Sequence, residues 1–346
     1  MKPVVSFVIP VYNVRDYIER CLRSVVAAAQ RFAKGTEIIC VDDGSTDGSG
    51  EILDRLASAV NGEHSTCVLK IIHQANAGVS TARNAALAAA SGKYLVFVDS
   101  DDCVTDGYLL RAIPDLEADP ELDVWIGQRT VVDNDYNPIE VARQPPQIPA
   151  METAEPIRDF LQVNGRYYLY CVWGKVFRKD LFDRFSLVFN PELNIGEDSL
   201  LMSEAYARSR KVKIVANELN YVHCWRNGSL VGRHWADLVP QYFQSSRLLE
   251  ECATGKHLED KLGVLIAQRA LSRVRTMFDK GYSYAWMARY IEALCRHPDF
   301  KQRVPRNIVR YAHQPYKTAG MILLILPARI TELILKLAVC LKGLRE

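Results

Sequence analysis

The chain reads as an α/β protein with a mainly parallel sheet, helices on both faces and a helical C-terminal region. Three observations carry this. The first hundred residues alternate short β-rich runs with helix-patterned segments, the order that builds parallel sheets. The run Tyr94-Leu95-Val96-Phe97-Val98 is apolar throughout, as a strand buried on both faces requires. Acids follow two of the expected strands, at Asp42-Asp43 and at Asp99-Ser100-Asp101-Asp102, and open parallel sheets bind ligands at that carboxyl edge.

The elements follow in order. Residues 4–9 form a β-rich run ended by Pro10, and a helix then carries Ile18, Cys21, Leu22 and Val25 on one face, with Asn13 as its N-cap. Residues 37–41 are the second strand, 47–60 a helix, 67–72 the third strand, 80–90 an alanine-rich helix and 94–98 the fourth strand. Beyond residue 106 the pattern loosens. Residues 122–126 and 129–132 are short strands, 144–149 a Gln-Pro-rich loop, 153–163 a helix and 167–177 an aromatic segment. A helix starts near Glu197, strands occupy 211–216 and 218–225, and helix runs from about 235 to the end. The expected division is residues 1–232 and 233–346.

Composition narrows the function. A chain of 346 residues with 49% hydrophobic content supports a large core, and a net charge of +2 gives no field for nucleic acid. Nine scattered cysteines, never in a C-x-x-C pair, argue against a disulfide framework or zinc site and for a reducing compartment. Met1-Lys2-Pro3 leads straight into a strand-like run, so a cytoplasmic catalytic part is expected.

Four segments converge on the carboxyl edge. In Val8-Ile9-Pro10-Val11-Tyr12-Asn13, Pro10 fixes the chain and Tyr12 offers a flat face for a base. In Asp42-Asp43-Gly44-Ser45-Thr46-Asp47, an acid at a strand end can accept hydrogen bonds from a base or ribose, although the same residues make an ordinary capping turn. Asn76-Ala77-Gly78-Val79-Ser80-Thr81-Ala82-Arg83-Asn84 delivers Arg83 from the first turn of a helix, where anions are favoured. A guanidinium suits a diphosphate because it binds bidentately and stays charged. Finally, Asp99 and Asp101 suit a hard divalent cation that also holds phosphates. Together the four describe a nucleoside-diphosphate site with a metal, Mn²⁺ or Mg²⁺.

The motifs V-I-P-V-Y-N, V-D-D-G-S-T-D, N-x-G-x-x-x-A-R-N and F-V-D-S-D-D, in that order, resemble those of family 2 glycosyltransferases of the GT-A fold, a Rossmann-like architecture. The resemblance is dense over the first 105 residues and continues in pieces to about residue 230. It implies an inverting enzyme that takes a sugar from a nucleoside diphosphate-sugar, with UDP as the expected nucleotide. By that resemblance Asp42 contacts the base, Arg83 the diphosphate, and Asp99 with Asp101 the ribose and metal. Pro10, Tyr12, Asn13, Asp43, Gly78 and Ser100 complete the expected nucleotide-sugar pocket. Asn194-Ile195-Gly196-Glu197-Asp198 resembles the family's E-D motif, which implies that Asp198, beside Glu197, is the base that deprotonates the acceptor hydroxyl. Trp173-Gly174-Lys175 matches a segment expected to line the acceptor or sugar pocket. In the late loop Arg226 and Ser229 fit the family pattern, while Cys224 replaces its usual first arginine.

The tail carries a basic stripe at Arg303, Arg306, Arg310, His313 and Lys317, then an apolar run interrupted by Arg329, Glu332 and Lys336. A spanning helix needs about 20 apolar residues. An amphipathic helix on an anionic bilayer surface fits better, so residues 303–341 are expected to make the protein peripheral to the membrane. A helix packed on the catalytic domain, or in a homo-oligomer, is the alternative. The expected acceptor is a cell-envelope glycan or a lipid-linked one. A nucleotidyltransferase would want a glycine-rich basic loop after the first strand and a dehydrogenase a G-x-G-x-x-G. Neither is present. A catalytically inactive scaffold is disfavoured because every expected catalytic position is filled.

Overall fold

The computed structural model describes residues 2–61, 66–133, 137–140, 170–193 and 195–224, with a few isolated positions between 244 and 298. The expected 144–149 loop, the 153–163 helix, Arg226 and the tail at 303–341 lie outside the described residues. The chain divides into two compact units, Met1–Asn227 and Gly228–Glu346, and the first of them holds the sheet.

Strands β1 (Val5–Val11), β2 (Thr36–Asp42), β3 (Cys67–His73) and β4 (Tyr94–Phe97) alternate with helices α1 (Arg15–Phe32), α2 (Ser49–Val60) and α3 (Val79–Ala89). Next come β5 (Cys103–Val104), α4 (Tyr108–Ala118), β6 (Leu122–Val132), β7 (Pro138–Glu140), β8 (Lys175–Arg178), α5 (Lys179–Phe185), α6 (Glu197–Arg208) and β9 (Lys211–Cys224). The sheet order is β3-β2-β1-β4-β8-β6-β9-β5, with β7 beside β6. The β3-β2-β1-β4 portion and the β6–β9 pair are parallel; β8 enters antiparallel between β4 and β6.

Alternation along the strands feeds two cores. Phe7, Ile9, Ile38, Cys40, Tyr94 and Val96 pack against α1, α2 and α4. Val8, Ile39, Val41, Leu95 and Phe97 pack against α3, α5 and α6. The two short strands expected over 122–132, and the two over 211–225, are in fact the continuous strands β6 and β9, paired in parallel. Register shifts between Ile126 and Gln128 absorb the glycine that breaks the sequence pattern there.

Two loops at the carboxyl edge are stitched side by side. Asn13 does not cap its own helix. It sits in the left-handed region at φ 51°, and its Oδ1 accepts from Thr46 N at 2.8 Å. Asp47 accepts from Arg15 N and from Ser49 N, so one carboxylate satisfies amides that open both α1 and α2. Gly44 lies at φ 72°, and a Cβ there would stand 2.9 Å from Asn76 N, which is why the turn after β2 needs glycine.

Candidate active site

Strand β4 delivers the acid cluster to the sheet edge, and the structure divides its labour. Asp102 is fully buried. It accepts from Tyr221 Oη at 2.7 Å and Cys224 N at 2.8 Å, and lies 3.1 Å from His223 Nδ1. Tyr221 Oη in turn accepts from Asp99 N at 3.1 Å. Burial pushes the Asp102 carboxyl up, opposed by the His223 imidazole. Asp102 thus ties the acidic turn to β9, leaving Asp99 and Asp101 at the mouth. The Asp99 side chain is 30% exposed.

Arg83 leaves the first turns of α3 and is almost wholly buried, with 4% of its side chain exposed. Its Nη2 donates to Asp99 Oδ1 at 2.8 Å. Its Nη1 donates to Asp198 Oδ1 at 2.8 Å and Glu197 Oε1 at 3.1 Å. Arg83 therefore joins three carboxylates from two distant motifs. Phe189 lies under the guanidinium at 5.1 Å. Glu197 and Asp198 open α6 behind Gly196, the left-handed residue at φ 83° that turns the chain into the helix. Burial pushes both carboxyls up, Glu197 to about 7, while Arg83 pulls each back down. A second donor reaches Asp198, Val172 N to Oδ2 at 3.1 Å.

At the other flank Asp42 ends β2. Its Oδ1 accepts from Ser45 N at 3.0 Å and its Oδ2 lies 2.9 Å from His73 Nδ1. Asp43 accepts from Gln74 Nε2, Ala77 N and Gly78 N, which fastens β2 to the start of α3. Gly78 is the N-cap of α3, Pro10 is buried in β1, Ser100 is buried in the acidic turn, and Tyr12 stands 49% exposed above the edge. Trp173 stacks on Tyr221 with ring centroids 4.7 Å apart and on His223 at 5.5 Å. Lys175 is wholly buried beneath that stack.

Residues 6–185 match the family model for glycosyl transferase family 2. The chain belongs to that family.

This family 2 glycosyltransferase is 30% identical to the Bacillus subtilis glycosyltransferase EpsJ over 253 residues, covering 70% of this chain and 67% of EpsJ. It is 26% identical to the Staphylococcus aureus poly(ribitol-phosphate) β-N-acetylglucosaminyltransferase TarS, covering 88% of this chain but 50% of TarS. It also spans only 32% of Streptococcus pneumoniae GlyA. The S. aureus TarS 1–349 structure with UDP-GlcNAc superposes with a TM-score of 0.66 at 22% identity, over 93% of this chain and 90% of the other. The GT-A architecture expected from sequence is thus observed, and the chain is a glycosyltransferase.

The transferase's donor set bears on a metal. Among the described residues no group of three or more His, Cys, Asp or Glu side chains is placed to hold an ion alone. Mg²⁺ and Mn²⁺ sites in phosphate-transferring proteins commonly take one or two carboxylates and complete their shell with water and substrate oxygens. Asp99 and Asp101 fit that pattern, because Arg83 occupies only Oδ1 of the partly exposed Asp99 carboxylate. Sequence reasoning misses Tyr221, His223 and Asp102 as one unit. The D-x-D-D run shows the acid, but nothing local pairs it with a strand 119 residues away.

Proposed function

We propose that the chain is an inverting glycosyltransferase that moves a sugar from a nucleoside diphosphate-sugar, a UDP-sugar in the first instance, to a hydroxyl of a cell-envelope or lipid-linked glycan. One observation carries this reading: Arg83 gathers Asp99 of the D-x-D motif and Glu197-Asp198 of the E-D motif, so donor and acceptor chemistry share one cluster. TarS crystallised with UDP and with UDP-GlcNAc supports the donor class. The poly(ribitol-phosphate) transferases among the relatives support an envelope acceptor.

Asp198 takes the acceptor hydroxyl proton as its oxygen attacks the anomeric carbon, and the glycosidic electron pair leaves with the diphosphate. Its raised proton affinity, set by burial, brings it closer to a useful base near neutrality. Arg83 and the Val172 N–H keep the carboxylate aimed. Tyr12 stacks on the base, and Asp42 accepts from the base or ribose; Pro10, Asn13, Asp43, Gly78 and Ser100 shape the surrounding loops. Asp99 and Asp101 would hold Mn²⁺ or Mg²⁺, which when bound supplies positive charge to the departing diphosphate. Trp173 and Arg226 belong to the acceptor or sugar side. We place catalysis in residues 1–232 and a cytoplasmic, membrane-peripheral attachment in 303–341. No helix among the described residues is long and apolar enough to cross a membrane.

The test is nucleotide release from a panel of UDP-, GDP- and dTDP-sugars with Mn²⁺ or Mg²⁺. Asp198→Asn should keep UDP affinity and lose about two to four orders of magnitude in kcat, the usual worth of general-base catalysis. A loss confined to donor affinity would assign Asp198 to binding instead.

A further inference from the structure

Lys175 opens β8 with none of its surface exposed. A buried ammonium persists only where its environment uses the charge. Its Nζ donates to Cys171 O at 2.6 Å and Trp173 O at 3.2 Å. The amide that follows the first of these carbonyls is Val172 N–H, which donates to Asp198 Oδ2. Cys171 C=O and Val172 N–H belong to one peptide unit. The described backbone has no cis bond, so the two groups point in opposite directions across one plane. A single peptide dipole therefore spans a buried cation at its oxygen end and the Asp198 carboxylate at its nitrogen end.

The second carbonyl has its own consequence. Trp173 stacks on Tyr221, and Tyr221 Oη joins Asp102 to the Asp99 amide. One ammonium thus braces the backbone on both sides of Val172. Burial draws Lys175 down to about 8, while Cys171 and the Asp198 charge oppose that fall.

We propose that Lys175 is a positioning residue for glycosyl transfer: it orients and polarises the Cys171–Val172 peptide that hydrogen-bonds Asp198, and does not touch donor or acceptor. The inference rests on the reading of Asp198 as the base. It replaces the expectation that Lys175 lines a substrate pocket, since a side chain with no exposed surface cannot meet a sugar. It also explains why a lysine stands in a strand whose neighbours Val176 and Phe177 are fully buried: the charge is aimed along the backbone.

The experiment compares Lys175→Met, which keeps the stem and removes the charge, with wild type, Asp198→Asn and the double variant. UDP release from UDP-GlcNAc with Mn²⁺ is followed, and the panel's best donor is used if that sugar is not turned over. UDP affinity is measured by calorimetry on each protein. Lys175→Met should lower kcat on the order of 10- to 100-fold, the cost of a misplaced catalytic group, with donor KM and UDP affinity little changed. In the Asp198→Asn background the same substitution should cost almost nothing further, because the group it positions is gone. Equal losses in both backgrounds, or unchanged kcat in Lys175→Met, overturn the proposal. Undiminished turnover by Asp198→Asn itself overturns the base assignment instead. If Lys175→Met does not fold, Lys175→Gln, which keeps one N–H for a carbonyl, is carried through the same cycle and decides by the same criteria.

Discussion

Replacing Arg83 by methionine keeps the stem of the side chain and removes the charge that three carboxylates share. With its side chain 4% exposed and donors 2.8, 2.8 and 3.1 Å from Asp99, Asp198 and Glu197, Arg83 is a buried ion-pair partner. Removing one partner of such a group costs about 3–5 kcal/mol, because the remaining charge is left buried without compensation. The cost must depend on pH. Burial already raises Asp198, and Glu197 to about 7, against the pull of Arg83; without that pull both rise further. A carboxyl whose folded pKa is raised binds its proton more tightly in the folded chain than in the unfolded one. It carries no penalty below its unfolded pKa, about 4, and an increasing one as pH climbs toward the folded value. Wild type carries the same penalty up to its own folded values, so the gap between the two proteins opens only above them, for Glu197 above about 7. Arg83→Met should therefore be nearly as stable as wild type near pH 4 and fall short by about 3–5 kcal/mol near pH 8. Urea unfolding across that range measures the gap. A gap that stays constant with pH would mean that Arg83 contributes packing and not charge, and would remove the electrostatic argument for joining the two acid motifs. Arg83→Lys should recover only part of the loss, since a point charge cannot present the same fork of donors.

Three further outcomes are expected. Asp101→Ala should abolish metal-stimulated nucleotide release while barely moving the unfolding midpoint, because Asp101 lies at the sheet edge and not in either core; full activity of the wild type in excess EDTA would refute the metal reading. Tyr221→Phe leaves Asp102 without its 2.7 Å donor and Asp99 N without its acceptor, so it should destabilise by about 1–3 kcal/mol and weaken Mn²⁺ binding measured by calorimetry; unchanged stability would mean that water replaces the hydroxyl. Truncation near residue 300 should release the protein from anionic vesicles and leave donor hydrolysis intact. Full-length binding should weaken with salt, since each basic side chain near the surface contributes about 1 kcal/mol that is screened beyond a Debye length; equal cosedimentation of both proteins would make the tail a packing element.

The parallel half of the sheet is legible because each of its strands announces itself locally. Val5–Val11, Thr36–Asp42 and Tyr94–Phe97 are buried along their whole length, and an apolar run between helix-patterned segments has few other uses. The later half is less legible for opposite reasons. β8 holds Lys175 and Arg178, charges that a strand pattern reads as exposed, yet both are buried because backbone carbonyls receive them. β6 and β9 each contain an interruption that only their mutual pairing bridges. Helix α4 buries Tyr108, Leu109, Ala112, Ile113 and Leu116 at helical spacing, but Pro114 inside it masks that pattern.

The site divides along the same line. Asp42, Asp99 and Asp101 follow strands that local sequence marks, whereas Glu197 and Asp198, which open α6, are singled out only by their resemblance to the family's E-D motif. What each acid touches is not legible locally, because the partners lie far apart in the chain: Arg83 meets Asp198 across 115 positions, and Asp102 meets Tyr221 across 119. The sequence places Arg83 beside a helix N-terminus, where an anion is a natural partner, but does not show which anions of its own chain it meets. The fold brings three such anions to it, from Asp99, Glu197 and Asp198. A guanidinium that neutralises Asp99 and Asp198 together lets two acids from distant motifs approach one another, which two bare carboxylates would resist. On the proposed function, the buried arginine is what permits a phosphate-facing acid and a proton-accepting acid to serve one reacting bond.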